Sequence, residues 1–144
     1  SQASVTIDQK IKSEIGIGYL ILLGIEQEDN TEDIDWLCKK ITQLRVFNDK
    51  EGKMNLSILD VEGDILVISQ FTLHAQSKKG NRPSFIRAAR PELAISLYNS
   101  FVGELEKNLN KTVFTGEFGA DMKVNLLNDG PVTILFDTKH KDLF

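Results

Sequence analysis

Leu93, Ala94, Leu97, Tyr98, Phe101, Val102, Leu105 and Leu109 recur at three- and four-residue intervals, while Glu92, Ser96, Asn99, Glu104 and Lys107 fall between them. The spacing predicts an amphipathic helix of about five turns, with Pro91 as its first residue, where a missing N–H leaves no bond unmade. One apolar stripe on so long a helix demands a broad apolar partner. A second stripe, Ile34, Leu37, Cys38, Ile41 and Leu44, predicts another helix opening near Thr31. Asn30 or Thr31 can cap it, and Glu32, Asp33 and Asp35 complement the positive end of its dipole. The partner surface has to be a sheet, because the remaining apolar residues come in strand-length runs.

Residues 15–25 are dense in Ile and Leu with little polar alternation, as expected of a central strand buried on both faces, and Gly16 and Gly18 mark a bulge or a close backbone approach. Further extended segments are expected at 3–8, 45–47, 53–56, 65–68, 113–118 with a glycine kink, 122–126 and 132–136, with turns at 48–52 and 61–64. Residues 139–144 read as a charged, frayed tail. The fold class is α/β: one domain over residues 1–144, rich in strands, with two long helices packed on the sheet.

At 144 residues and 41% hydrophobic content the chain can bury a single core. A net charge of −4 argues against a generally basic nucleic-acid binder, so any RNA contact has to be local. Residues 76–91 are the place for one: Lys78, Lys79, Arg82, Arg87 and Arg90 occur there without an acidic residue. Two readings stand, a solvated loop or a phosphate-contacting surface in which Lys79 and Arg82 steer a polyanion. The run 15–25 is too short to span a bilayer as a helix and lacks the pattern of a signal peptide, so no membrane is expected and the cytoplasm is the default compartment.

Conventional catalytic devices are missing. The single cysteine, Cys38, sits in a helical stripe and reads as a core thiol; two histidines, His74 and His140, show no metal-ligand spacing, so neither a metal site nor a cofactor is expected. Thr72 can be a nucleophile only beside a base, and none is evident. The backbone N–H groups around Gln70, Phe71 and Thr72, where the run 65–68 meets a loop, can instead stabilise a developing oxyanion; the alternative is a strand end hydrated by water. Asn128, Asp129, Gly130 and Pro131 form a corner between two extended runs. It is either a tight turn or a rigid element that presents main-chain carbonyls, since proline cannot donate to a ladder and an X-Pro bond adopts cis at modest cost.

Ser69, Gln70, Phe71, Thr72 and Leu73, taken with Asn128, Asp129, Gly130, Pro131, Val132 and Thr133, resemble the two signature motifs of the D-aminoacyl-tRNA deacylases (D-tyrosyl-tRNA deacylases). Gly52-Lys53-Met54-Asn55, Arg82-Pro83-Ser84-Phe85 and Phe118-Gly119-Ala120-Asp121-Met122 are similar to the same family in the same order. The resemblance runs from Ala3 to Phe136. It implies a mixed, mostly antiparallel or barrel-like sheet, and a cytoplasmic homodimer that hydrolyses the ester between a D-amino acid, or glycine mischarged on tRNA-Ala, and the tRNA 3′ end. It further implies a cis Gly130–Pro131 bond inserted into the partner's site, whose carbonyls hold the substrate's amino group and leave no room for an L side chain. Gln70, Phe71 and Thr72 would be the catalytic segment, Ser69 and Met122 would join Gly130 and Pro131 in binding substrate, and Lys78, Lys79 and Arg82 would meet the tRNA. Hydrolysis in the family is assisted by the terminal ribose 2′-OH; an older proposal makes the threonine matching Thr72 the nucleophile. Family members begin with a strand containing Gln-Arg-Val, and this chain starts just after it, which implies a truncated N-terminal strand. The alternatives outside this class are a tRNA-binding module without catalysis and a structural dimer whose Gly-Pro corner only fixes the interface.

Overall fold

The computed structural model describes residues 1–78 and 80–144. Its centre is β6 (Asp64–Ser69), in which Ile65, Leu66, Val67 and Ile68 are essentially inaccessible to solvent. β6 lies between β3 (Gly18–Leu23) and the two-residue β7 (Phe114–Thr115), parallel to both. A second, antiparallel sheet has β1 (Gln2–Ile7) between β2 (Lys10–Ile15) and β8 (Lys123–Leu127). A short antiparallel pair, β4 (Phe47–Asn48) with β5 (Met54–Leu56), completes the strands. The sheet structure is therefore mixed, with antiparallel pairs in the majority among the described residues, and no ladder closes it into a barrel.

Helices α1 (Thr31–Gln43) and α2 (Pro91–Leu109) pack against each other and against one face of the parallel sheet. The cap of α1 falls on Asn30: its side chain accepts from the Glu32 N–H at 2.8 Å, while Asp33 returns a carboxylate to the Asn30 N–H at 3.2 Å. Pro91 is the first residue of α2, and Ala94, Tyr98, Phe101 and Leu105 form its buried stripe. Tyr98 donates its hydroxyl to the Val67 carbonyl at 2.8 Å, which places a polar bond inside the core, and burial raises that phenol to about 12. Cys38 is fully buried against the Phe101 carbonyl, and its thiol is pushed up to about 12, chiefly by burial and then by Glu104 and Asp35, so it stays a protonated core thiol.

Four expectations are corrected. Residues 15–25 are not one central strand: β2 ends at Ile15, β3 begins at Gly18, and β3 is an edge strand with Leu22 exposed, while β6 is the central one. What hides this is a two-residue hairpin at Asp8 and Gln9, both with positive φ (48° and 63°), which turns residues 10–15 back along β1 without the Asn-Gly signal such a turn favours. The loop expected after the run 65–68 is not irregular throughout: Phe71–His74 is a single 3₁₀ turn. Residues 132–136 alternate like a strand but form none, because alternation supplies a face and not a hydrogen-bonding neighbour.

The fourth correction concerns the tail. Residues 138–143 form 3₁₀ turns held on the N-terminus of α1: Lys139 Nζ reaches Asp33 Oδ2 at 2.9 Å, Asp29 Oδ1 at 3.0 Å and the Glu28 carbonyl at 3.0 Å, and Lys141 Nζ reaches Asp33 Oδ1 at 3.2 Å. Phe136 meets both Trp36 and Phe144 edge-on. Burial alone would raise the Asp33 carboxyl, but hydrogen bonds from Lys139, Lys141 and the Asn30 N–H bring it below its ordinary 3.8. Burial would lower Lys139, yet Asp33 and Asp29 carry it above its ordinary 10.5. The stability from this clasp is fully present between those two ordinary values. It is lost as pH falls below 3.8 through the depressed carboxyl, or rises above 10.5 through the elevated ammonium. Lys139→Met should cost about 1–3 kcal/mol at neutral pH, and urea midpoints of the two proteins should converge as the pH is taken into the acid limb.

Candidate functional site

The parallel pairing of β3 and β6 does not stop with the strands. The Gln70 N–H donates to the Leu23 carbonyl at 2.8 Å, so the main chain is still held one residue past Ser69 before it turns. Of the three amides that the residues alone put forward, Gln70's is therefore occupied by the sheet. Those of Phe71 and Thr72 begin a helical turn, whose first N–H groups have no acceptor within it. The Gln70 side-chain amide donates to the Thr72 hydroxyl, the one partner of that hydroxyl among the described residues. An amide is no base, and Thr72 is solvent-exposed beside the cavity.

The cavity itself measures about 540 Å³ and is mainly apolar. It is lined by Ser69, Gln70, Phe71 and Met122 together with Leu23, Ile25 and Ile68. The first turn of α2 also lines it, through Pro91 and Ala94. At the mouth the Phe71 ring, 59% exposed, meets Phe85 edge-on with centroids 5.1 Å apart. Phe85, Ala88 and Ala89 belong to the basic stretch that composition marks only for charge. The missed signal there was Phe85 itself, the one aromatic among the basic residues. Ala89 donates its N–H to the Ile25 carbonyl at 2.9 Å, which docks this stretch on the end of β3.

Of the remaining candidates, Lys78 and Arg82 are exposed on the same stretch and Lys79 lies outside the described residues. Gly130 and Pro131 do not line the cavity of their own chain. Their peptide bond is cis and both residues are exposed. Asn128 brackets the corner, donating from Nδ2 to the Thr133 hydroxyl at 2.9 Å and accepting the Val132 N–H at 3.2 Å on Oδ1. Gly130 has φ +128°, and a Cβ there would come within 2.8 Å of Val132 Cγ2, so the position excludes side chains on both counts.

Comparison with known proteins identifies the chain as an enzyme of the hydrolase class. It belongs to the D-Tyr-tRNA(Tyr) deacylase family, whose model matches residues 1–137. A D-aminoacyl-tRNA deacylase of Bacteroides fragilis is 66% identical over 142 residues, covering 99% of this chain and 95% of the relative. One from Flavobacterium psychrophilum is 63% identical with the same coverage. Among solved structures, a c-Myc DNA Unwinding Element Binding Protein superposes with a TM-score of 0.86 at 43% identity, over 92% of this chain and 90% of the other. A probable eukaryotic D-amino acid tRNA deacylase has the same fold, with a TM-score of 0.70 at 16% identity over 86% and 87% of the two chains.

The side chain of Met122 reaches the cavity only because residue 116 has none. A Cβ on Gly116 would run into the Met122 sulphur and approach Ile68 Cδ1 to 3.0 Å. Gly116→Ala should therefore displace the flexible Met122 side chain and press on Ile68 at a cost of about 1 kcal/mol, read as a slightly lower denaturation midpoint.

Proposed function

We propose that this protein hydrolyses the ester linking a D-amino acid to the 3′ end of tRNA, and that it accepts glycine mischarged on tRNA-Ala. One observation carries the reading: among the described residues the cavity around Ser69, Gln70 and Phe71 is lined by no histidine, cysteine, carboxylate or lysine that could serve as a base, and the Thr72 hydroxyl beside it is bonded to an amide. Such a site suits a reaction whose nucleophile is positioned by the substrate. The terminal ribose 2′-OH assists the attack on the ester carbonyl, and the amides of Phe71 and Thr72 stabilise the oxyanion that develops. Water completes the hydrolysis, releasing free amino acid and tRNA.

The active unit is a homodimer of single-domain chains acting in the cytoplasm, with each site completed at the subunit interface. Support comes from the position of Gly130 and Pro131: they stand exposed on a braced corner, away from their own cavity, beside exposed Leu126, Leu127, Ile134 and Leu135. Inserted into the partner's cavity, the two carbonyls accept the substrate's ammonium group. The L side chain then has no space, whereas glycine has nothing to exclude. Lys78 and Arg82 face solvent on the stretch beside the cavity mouth, where they meet the phosphates of the acceptor end. Among the described residues no helix is long and apolar enough to cross a membrane.

Release of D-tyrosine from D-Tyr-tRNA, with L-Tyr-tRNA left intact, tests the reading. Equal cleavage of both enantiomers would overturn the exclusion mechanism, and tight tRNA binding without ester cleavage would favour a binding module instead. Thr72→Ala should retain activity within about tenfold, whereas a terminal 2′-deoxyadenosine on the substrate should slow hydrolysis by about a hundredfold or more; the reverse pattern would make Thr72 the nucleophile.

A further inference from the structure

Glu26 lies just beyond the end of β3 and is 8% exposed, an uncommon place for a carboxylate. Its Oε2 atom accepts a charge-assisted hydrogen bond from Arg87 Nη2 at 2.7 Å and lies 3.9 Å from His74 Nδ1. Neither partner is near it in sequence. His74 ends the 3₁₀ turn that starts with Phe71 and Thr72, and Arg87 follows Phe85 by two residues in the stretch docked on β3. The main chains repeat the connection: Glu26 forms an isolated bridge with Ala88, and Ile25 accepts from Ala89.

Space is set aside for this arrangement. The His74 ring lies against Gly24, where a Cβ would come within 2.9 Å of Nε2. Glu26 itself is fixed from behind, since its N–H donates to Asp29 Oδ2 at 2.9 Å and Asp29 N–H returns to the Glu26 carbonyl at 3.2 Å. A rigid, buried acceptor therefore stands between the two pieces of chain that carry Phe71 and Phe85, the aromatic pair at the cavity mouth.

We propose that Glu26 is a positioning residue for the deacylation, bonded to Arg87 and packed beside His74, that holds the Phe71–Thr72 turn and the Phe85 segment in register at the cavity. Arg87 belongs to this brace and not to the tRNA-contacting surface, even though it lies in the basic stretch. The proposal rests on the deacylase reading above. It goes further by assigning a role to three side chains outside the cavity lining. Removing the brace leaves the cavity walls chemically intact but free to shift, and misplacement of about 1 Å at a reacting centre lowers a rate by up to about a hundredfold.

Glu26→Ala and Arg87→Met should each lower kcat for D-Tyr-tRNA by about tenfold or more, with KM for tRNA changed less than threefold, on the order expected for displaced oxyanion donors. The double variant should be no worse than the poorer single one, because both remove the same contact. Glu26→Gln, which keeps an acceptor of the same shape, should recover part of the loss. If Arg87 instead binds tRNA phosphates, Arg87→Met raises KM and flattens its salt dependence while Glu26→Ala does neither, and the proposal fails. Wild-type kcat in Glu26→Ala, or additive losses in the double variant, would also overturn it. Hydrogen exchange separates this failure from that of the deacylase reading: both single variants should speed exchange at residues 71–76 and 84–89 while α2 stays protected, whether or not the wild-type protein cleaves D-Tyr-tRNA. Unchanged exchange in those two segments would overturn the brace.

Discussion

The structure depends on β6 being buried on both faces. Four consecutive residues, Ile65 to Ile68, are sealed between α2 on one side and the antiparallel sheet on the other, and a strand so enclosed must have every backbone group bonded. β3 and β7 supply the ladders, and Tyr98 reaches from α2 to the Val67 carbonyl. β6 anchors the start of the segment that follows it, through the bond from the Gln70 N–H to the Leu23 carbonyl. The site begins one residue after the strand ends.

That placement suits the proposed chemistry, which uses few reactive side chains. Main-chain amides are weak reagents unless they are held still, and here they are held by a sheet bond at Gln70 and by the 3₁₀ turn behind it. Preorganised dipoles in a mostly apolar cavity interact more strongly with a developing charge than the same groups do in water. Gly130 and Pro131 follow the same economy: what they can present is carbonyl oxygen on a corner that Asn128 braces from both ends. In the proposed reaction such a corner would meet the substrate's ammonium group.

Much of this was legible in the residues. The α2 stripe fell where its periodicity put it, with Pro91 at the start, and Asn30 capped α1. Of the residues singled out from the sequence, Ser69, Gln70, Phe71 and Met122 line one cavity. Other features could not be read so. The hairpin at Asp8 and Gln9 lacks glycine, so an apolar run that crosses two strands looked like one. Arg87 looked like its basic neighbours, though its guanidinium faces a buried carboxylate 61 residues away in the chain. The tail looked frayed because its lysines meet Asp29 and Asp33 only after folding.

By itself the order of residues determined the helices and the buried character of residues 65–68, since periodicity, proline position and turn chemistry are local properties. Tertiary structure alone decided which strand is central, which charges are paired, and that Gly130 and Pro131 stand outside their own chain's cavity. Those outcomes turn on hydrogen-bonding neighbours and charge partners that lie far apart in the chain and meet only when the core closes.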